Sequence, residues 1–83
     1  MEKKIGVVDD FYAKVSVAAF KLDDTLAIGD TIHIQGHTTN LTQKVTSMQI
    51  DRKDVQQANP GDSIGIKVDS RVRKGDIVYK VME

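Results

Sequence analysis

Apolar and polar positions alternate with a period of two along most of this chain. Ala13, Val15, Val17 and Ala19 alternate with Lys14, Ser16 and Ala18, and Ile32 and Ile34 with Thr31, His33 and Gln35. Ile64, Ile66 and Val68 alternate with Gly65 and Lys67, and Ile77, Tyr79 and Val81 with Val78, Lys80 and Met82. Side chains on a strand point to opposite faces in turn, so each run predicts a strand with one buried face. Between Val45 and Ile50 the alternation slips, with Val45 on one parity and Met48 and Ile50 on the other. A β-bulge near Thr46-Ser47, or a strand that changes faces at a corner, absorbs such a slip.

Turn formers separate the runs. Asp9-Asp10 and Asp23-Asp24 bracket the second run, and Gly-Asp recurs at 29–30, 61–62 and 75–76, each time directly before a strand. Glycine accepts a positive φ, and the aspartate side chain bonds nearby amides, so the pair ends a turn and launches a strand. The irregular spacing of the three pairs argues for turn chemistry and not for a repeat. The pattern predicts six strands, at about 4–9, 13–21, 31–35, 42–51, 63–68 and 77–82. One segment escapes it: Asp54 is placed to cap a single helical turn over Val55–Ala58, ended by Pro60.

Composition strengthens the β reading. Ten Val and eight Ile stand against three Leu, and ten of the twelve acids are Asp, a turn former, where helices favour Glu. With 83 residues the chain has room for one core, so residues 1–83 are read as a single domain. Six short strands on one core are expected to close into a small antiparallel, Greek-key-like β-barrel, because closure removes exposed edges.

Charge and motif content narrow the chemistry. Twelve cations balance twelve acids, which excludes a protein that holds nucleic acid by bulk charge alone. The absence of cysteine removes disulfides and thiolate metal sites. No run of about 18 apolar residues is present, and a cytoplasmic location without membrane contact is expected. His33 and His37 straddle a strand end with no cysteine in the chain, which reads as two solvated imidazoles before it reads as a zinc site. No serine sits in a nucleophile elbow, and no phosphate-binding glycine loop occurs. A barrel filled with Val and Ile leaves no internal pocket of several hundred Å3, roughly the size of a ligand site. No enzymatic activity, cofactor or metal is expected on these grounds.

Three surface features remain. The loop Gly36-His37-Thr38-Thr39-Asn40 gathers a ring, two hydroxyls and an amide at a strand end; it reads as a polar hairpin with Asn40 left-handed, or as a ligand loop. Phe11 and Tyr12 are expected to split, one ring inward and one on the rim. Arg71, Arg73 and Lys74 form a basic cluster that is either a solvated turn or a phosphate contact.

From Leu26 onward, Leu26-Ala27-Ile28-Gly29-Asp30-Thr31-Ile32, Val45-Thr46-Ser47-Met48-Gln49-Ile50 and Ala58-Asn59-Pro60-Gly61-Asp62-Ser63-Ile64-Gly65 follow one another in an order that resembles the second, β-barrel domain of elongation factor Tu-type translational GTPases. The whole chain is similar to short translation elongation factor-like proteins, and a similar barrel ends some family U32 peptidases. The resemblance implies a non-catalytic, translation-associated binding module. Its implied partners are RNA, a tRNA 3′ end, a separate translational GTPase or a ribosomal protein. A protein adaptor without RNA contact is the alternative. In the elongation factors a glutamate on the strand after the loop contacts the terminal adenosine; here Gln49 stands in its place, and Arg52 matches a basic residue of some members. The expected ligand-binding residues are therefore His37, Thr38, Thr39, Gln49 and Arg52.

Overall fold

A computed structural model describes residues 1–82. It is all-β, with ten strands: β1 (Glu2–Tyr12), β2 (Val17–Lys21), β3 (Leu26–Ala27), β4 (Thr31–Gln35), β5 (Asn40–Lys44), β6 (Met48–Ile50), β7 (Lys53–Asp54), β8 (Gln57–Ala58), β9 (Ser63–Lys67) and β10 (Ile77–Val81). Every pairing is antiparallel. Eight strands form one sheet in the order β5-β4-β10-β1-β2-β9-β6-β7, and β3 pairs with β8 in a separate ribbon. Among the described residues the ladders run from β5 to β7 as the two ends of that sheet. Six expected strands thus become ten.

The differences have local causes. The expected strand 42–51 is two strands: β5 pairs with β4, whereas β6 pairs with β9 and β7. The parity slip marks the point where the chain leaves one half of the sheet for the other. There the buried Val45 bonds to the 29–30 turn in place of a strand. The expected helical turn at 55–58 is absent; Gln57 and Ala58 pair with Ala27 and Leu26. Ala58 is fully buried, and ribbon pairing lets it pack inward while Asp54 serves the β6–β7 hairpin. Asp9 and Asp10 lie inside β1, and the chain reverses at 13–16. Asn40 opens β5 and does not take the left-handed conformation expected of it.

β1 joins the two halves of the sheet. Residues Glu2 to Val7 pair with β10, and Val8 to Tyr12 pair with β2, with register shifts between Lys4 and Gly6 and between Val8 and Asp10. Such bulges bend a strand and let it serve two neighbours. The core includes Ile5, Phe20, Leu22, Ile32, Ile34, Met48, Ile66 and Val78, all at 1% exposure or less. Each such side chain contributes about 1.5–3 kcal/mol relative to exposure. At the β5 edge the Gln43 side-chain amide stands in for a backbone rung: Nε2 donates to Lys67 O (2.9 Å), and Asp69 N donates to Oε1 (2.7 Å).

The three Gly-Asp pairs are one device used three times. In 27–30, 59–62 and 73–76 the fourth residue donates its backbone N–H to the carbonyl of the first (3.0–3.1 Å), with glycine third at φ of 93–95°. That is a type II turn, which requires glycine at its third position. The aspartate carboxylate accepts the N–H three residues back, from Ala27, Asn59 and Arg73 (2.8–2.9 Å), and not the following amides expected from sequence. Each turn also exchanges two backbone bonds with one buried residue: Val45, Leu22 or Val8. The irregular spacing hides this repetition, because the three partner residues come from unrelated places in the chain.

Candidate functional site

The outward faces of β2, β9 and β6 carry a broad depression. On β2, Ala18 and Phe20 point inward, so Val17 and Ala19 point outward. On β9, Ile64 and Ile66 point inward, which puts Gly65 outward beside Ala19 and Gln49. Gly65 has no side chain, and a Cβ built there lies 3.0 Å from Val17 Cγ1, so the missing methyl group deepens the surface. The result is a groove of about 460 Å3 lined by Asp9, Tyr12, Val15, Val17, Ala19, Phe20, Gln49, Asp51, Arg52, Ser63, Ile64 and Gly65. Its volume falls within the roughly 300–1,000 Å3 of small-ligand sites, and its lining is mainly apolar.

Two turns border the groove, and both hold residues in an uncommon backbone conformation. The β1–β2 turn at 13–16 leaves Tyr12 52% and Val15 58% exposed, and Ser16 has φ 55°. The β6–β7 hairpin closes with Asp51 at φ 51° and Arg52 at φ 65°. Two successive left-handed residues make a type I′ turn, for which Asn-Gly is the favoured pair. Among the described residues these three are the non-glycine residues with positive φ, and all lie in turns that flank the groove. Left-handed non-glycine residues cost of order 1 kcal/mol each and concentrate at binding sites.

The expected site residues divide. Gln49 and Arg52 line the groove; the Gln49 amide donates to Asp54 Oδ1 across the hairpin (3.0 Å), and Arg52 is exposed. His37, Thr38 and Thr39 belong to the β4–β5 turn and are not among the lining residues. His37 and Thr38 are exposed, while Thr39 is 6% exposed and its carbonyl accepts the Gly36 N–H (2.8 Å). Sequence reasoning missed Asp9, Val15, Val17 and Ala19. The run 13–19 was read with Val17 and Ala19 inward, and the true face is the opposite one. Period two marks two faces without saying which is wet, and a shift of one residue exchanges them. The same exchange occurs in β10, where Val78 is the core residue in place of Ile77 and Tyr79. The exposed Tyr12 was legible, since Phe11 and Tyr12 divide as expected, Phe11 packing on the core.

The other half of the sheet presents a different outer surface. His33 lies with Nδ1 2.9 Å from Glu2 Oε1 and Nε2 2.7 Å from Asn40 Oδ1, its ring 6.0 Å from that of Tyr79. Nδ1 faces the Glu2 carboxylate and Nε2 the Asn40 side-chain amide. The Glu2 contact first, and the Asn40 contact second, hold its pKa above the ordinary 6.5. Sequence did not point to the Glu2 contact, because Glu2 is 31 positions away. Among the described residues no group of three or more His, Asp or Glu side chains is arranged to hold a metal ion. Among the described residues no helix is long and apolar enough to cross a membrane.

No family model matches the chain. It is 49% identical over 81 residues to an uncharacterized protease of Methanocaldococcus jannaschii, covering 96% of this chain and 20% of that protein. It is 35% identical over 78 residues to a collagenase of Porphyromonas gingivalis, covering 92% of this chain and 22% of that protein. The chain thus spans about a fifth of the length of these curated relatives. Among solved structures it superposes on the C-terminal domain of a Geobacillus thermoleovorans protein described as a U32 peptidase. The TM-score is 0.86 at 17% identity, covering 94% of this chain and 91% of that one. These findings correct the reading of the resemblance. The relatives are named as protease and collagenase, which contradicts the elongation-factor-like identity, the translation and RNA-binding role and the expectation of no enzymatic activity. The motifs shared with elongation factors are turn and strand signals of the fold, and a fold is compatible with more than one role.

Proposed function

We propose that this chain serves a peptidase of the protease and collagenase type by presenting a groove that holds polypeptide substrate. The observation that carries the reading is the outward groove along β2, β9 and β6, with Tyr12 and Val15 exposed at its border. The names of the relatives supply the substrate class. An apolar floor of Val17, Ala19 and Gly65 suits an extended chain with small or apolar side chains, and Gln49, Ser63 and Arg52 stand ready for its backbone groups.

The test is fluorescence anisotropy of a labelled gelatin fragment titrated with the 83-residue protein. Saturable binding is expected, weakened roughly tenfold (about 1.4 kcal/mol) in Ala19→Gln, which places a longer polar side chain on the groove floor without changing charge. Thr38→Ala, outside the groove lining, serves as the control and leaves binding unchanged. Absence of binding, or equal binding by wild type and Ala19→Gln, overturns the reading.

A further inference from the structure

The charged groups of the groove narrow its occupant. Two carboxylates, Asp9 and Asp51, and one guanidinium, Arg52, line it, a net charge of −1. Neither carboxylate has an ion-pair or side-chain hydrogen-bond partner among the described residues; the ion pairs found there join Lys3 to Asp24, His33 to Glu2 and Lys80 to Asp30. This contrasts with Asp30, Asp62 and Asp76, whose carboxylates each accept a backbone N–H. The two groove acids therefore stabilise no turn of their own.

Their placement comes from irregular backbone. Asp9 sits where the β1–β2 register shifts between Val8 and Asp10, and a bulge of this kind re-aims a side chain. Asp51 is carried by the left-handed hairpin turn. Tyr12 shares the lining, and the face of its exposed ring attracts a cation and repels an anion. Apolar floor, aromatic ring and two unpaired carboxylates are together complementary to a long aliphatic side chain that ends in a positive charge. Lysine and arginine lay their methylene stems on apolar surface and keep the charge at a polar rim.

We propose that the groove selects an extended polypeptide segment by a lysine or arginine side chain, held between Asp9 and Asp51 with its stem against Tyr12 and the Val17–Ala19 floor. The proposal rests on the polypeptide-groove reading and adds its specificity. Arg52, the single cation among the described lining residues, is then free to donate to carbonyls of the bound segment.

Three synthetic peptides of identical apolar sequence, with lysine, glutamine or glutamate at one central position, test it against the 83-residue protein. The lysine peptide is expected to bind roughly five- to tenfold tighter than the glutamine peptide, the combined size of an exposed ion pair and a cation–π contact. The glutamate peptide is expected to bind weakest. In the Asp9→Asn/Asp51→Asn double variant the preference for lysine disappears while the glutamine peptide binds as before. Asparagine tolerates the left-handed turn at least as well as aspartate, so folding is preserved. Equal binding of the lysine and glutamine peptides, a preference for glutamate, or a lysine preference that survives the double variant overturns the charge selectivity alone. Failure of all three peptides to bind overturns the groove reading with it.

Discussion

Two sets of turns in this molecule obey opposite rules. In 27–30, 59–62 and 73–76 every position has the residue its backbone requires: glycine at φ 93–95°, an aspartate that caps the turn, and in one copy proline second. In the two turns beside the groove the backbone favours glycine, asparagine or aspartate; Asp51 fits, but the chain also supplies Ser16 and Arg52. The first set docks on the buried residues Val45, Leu22 and Val8 and shapes the core. The second borders the groove. Where residue and backbone agree the turn builds the fold. Where they disagree, the strain is held by the surrounding sheet.

Breaking the matched set gives the largest effect. Asp76 is 5% exposed, and its carboxylate accepts the Arg73 N–H. Asp76→Ala leaves that donor unpaired and opens a gap beside Gly36, where the carboxylate packs so closely that a Cβ would collide with it. A loss of about 2–3 kcal/mol is expected in urea unfolding, without a change in fold by circular dichroism. A loss under about 0.5 kcal/mol removes the claim that the aspartate caps hold the turns.

Repairing the mismatched set gives a smaller effect of opposite sign. Arg52→Gly meets the requirement of the type I′ turn and is expected to raise stability by roughly 0.5–1 kcal/mol. The same change in gelatin-fragment affinity should be a weakening. A variant that loses stability shows that the turn is not strained by its arginine, and the contrast between the two sets fails.

The smallest effect is expected on the outer face away from the groove, where polar groups are paired. His33 has its pKa raised in the folded chain by Glu2 and then Asn40. The sign follows: the folded state binds the proton more tightly than the unfolded one. The contribution is complete below the unfolded value of 6.5 and is lost as pH rises through the folded pKa. Stability measured between about pH 5 and 8 should therefore fall more in wild type than in His33→Gln. The groups facing His33 are Glu2 and Lys4 on β1, Tyr79 on β10 and Asn40, Thr42 and Lys44 on β5. NMR titration of the His33 ring giving a pKa at or below 6.5 contradicts the assignment.

Much of this was legible in the residues. The strands at 31–35 and near 63–68 and 77–82 lie where alternation puts them, because β-branched residues and Gly-Asp turns fix both their type and their start. The split at Val45–Met48 was visible as a slipped parity. The groove was not visible. Its floor is the outward parity of β2 and β9, and Val17 and Ala19 look like core residues until the buried Phe20 claims the inside. Its walls join residues 9, 51 and 65, which share no local signal. His33 and Glu2 meet for the same reason, through a strand pairing that spans the chain.

The amino-acid sequence by itself determined that this protein is mostly β, where its three Gly-Asp turns fall and that one ring of the Phe11-Tyr12 pair stays outside. These follow from φ preferences, side-chain branching and period-two alternation, all of which act within a few residues. Tertiary structure alone decided which parity faces water, which distant strands pair and which charges stay unpartnered, because each depends on burial and contact between segments that local preferences cannot connect.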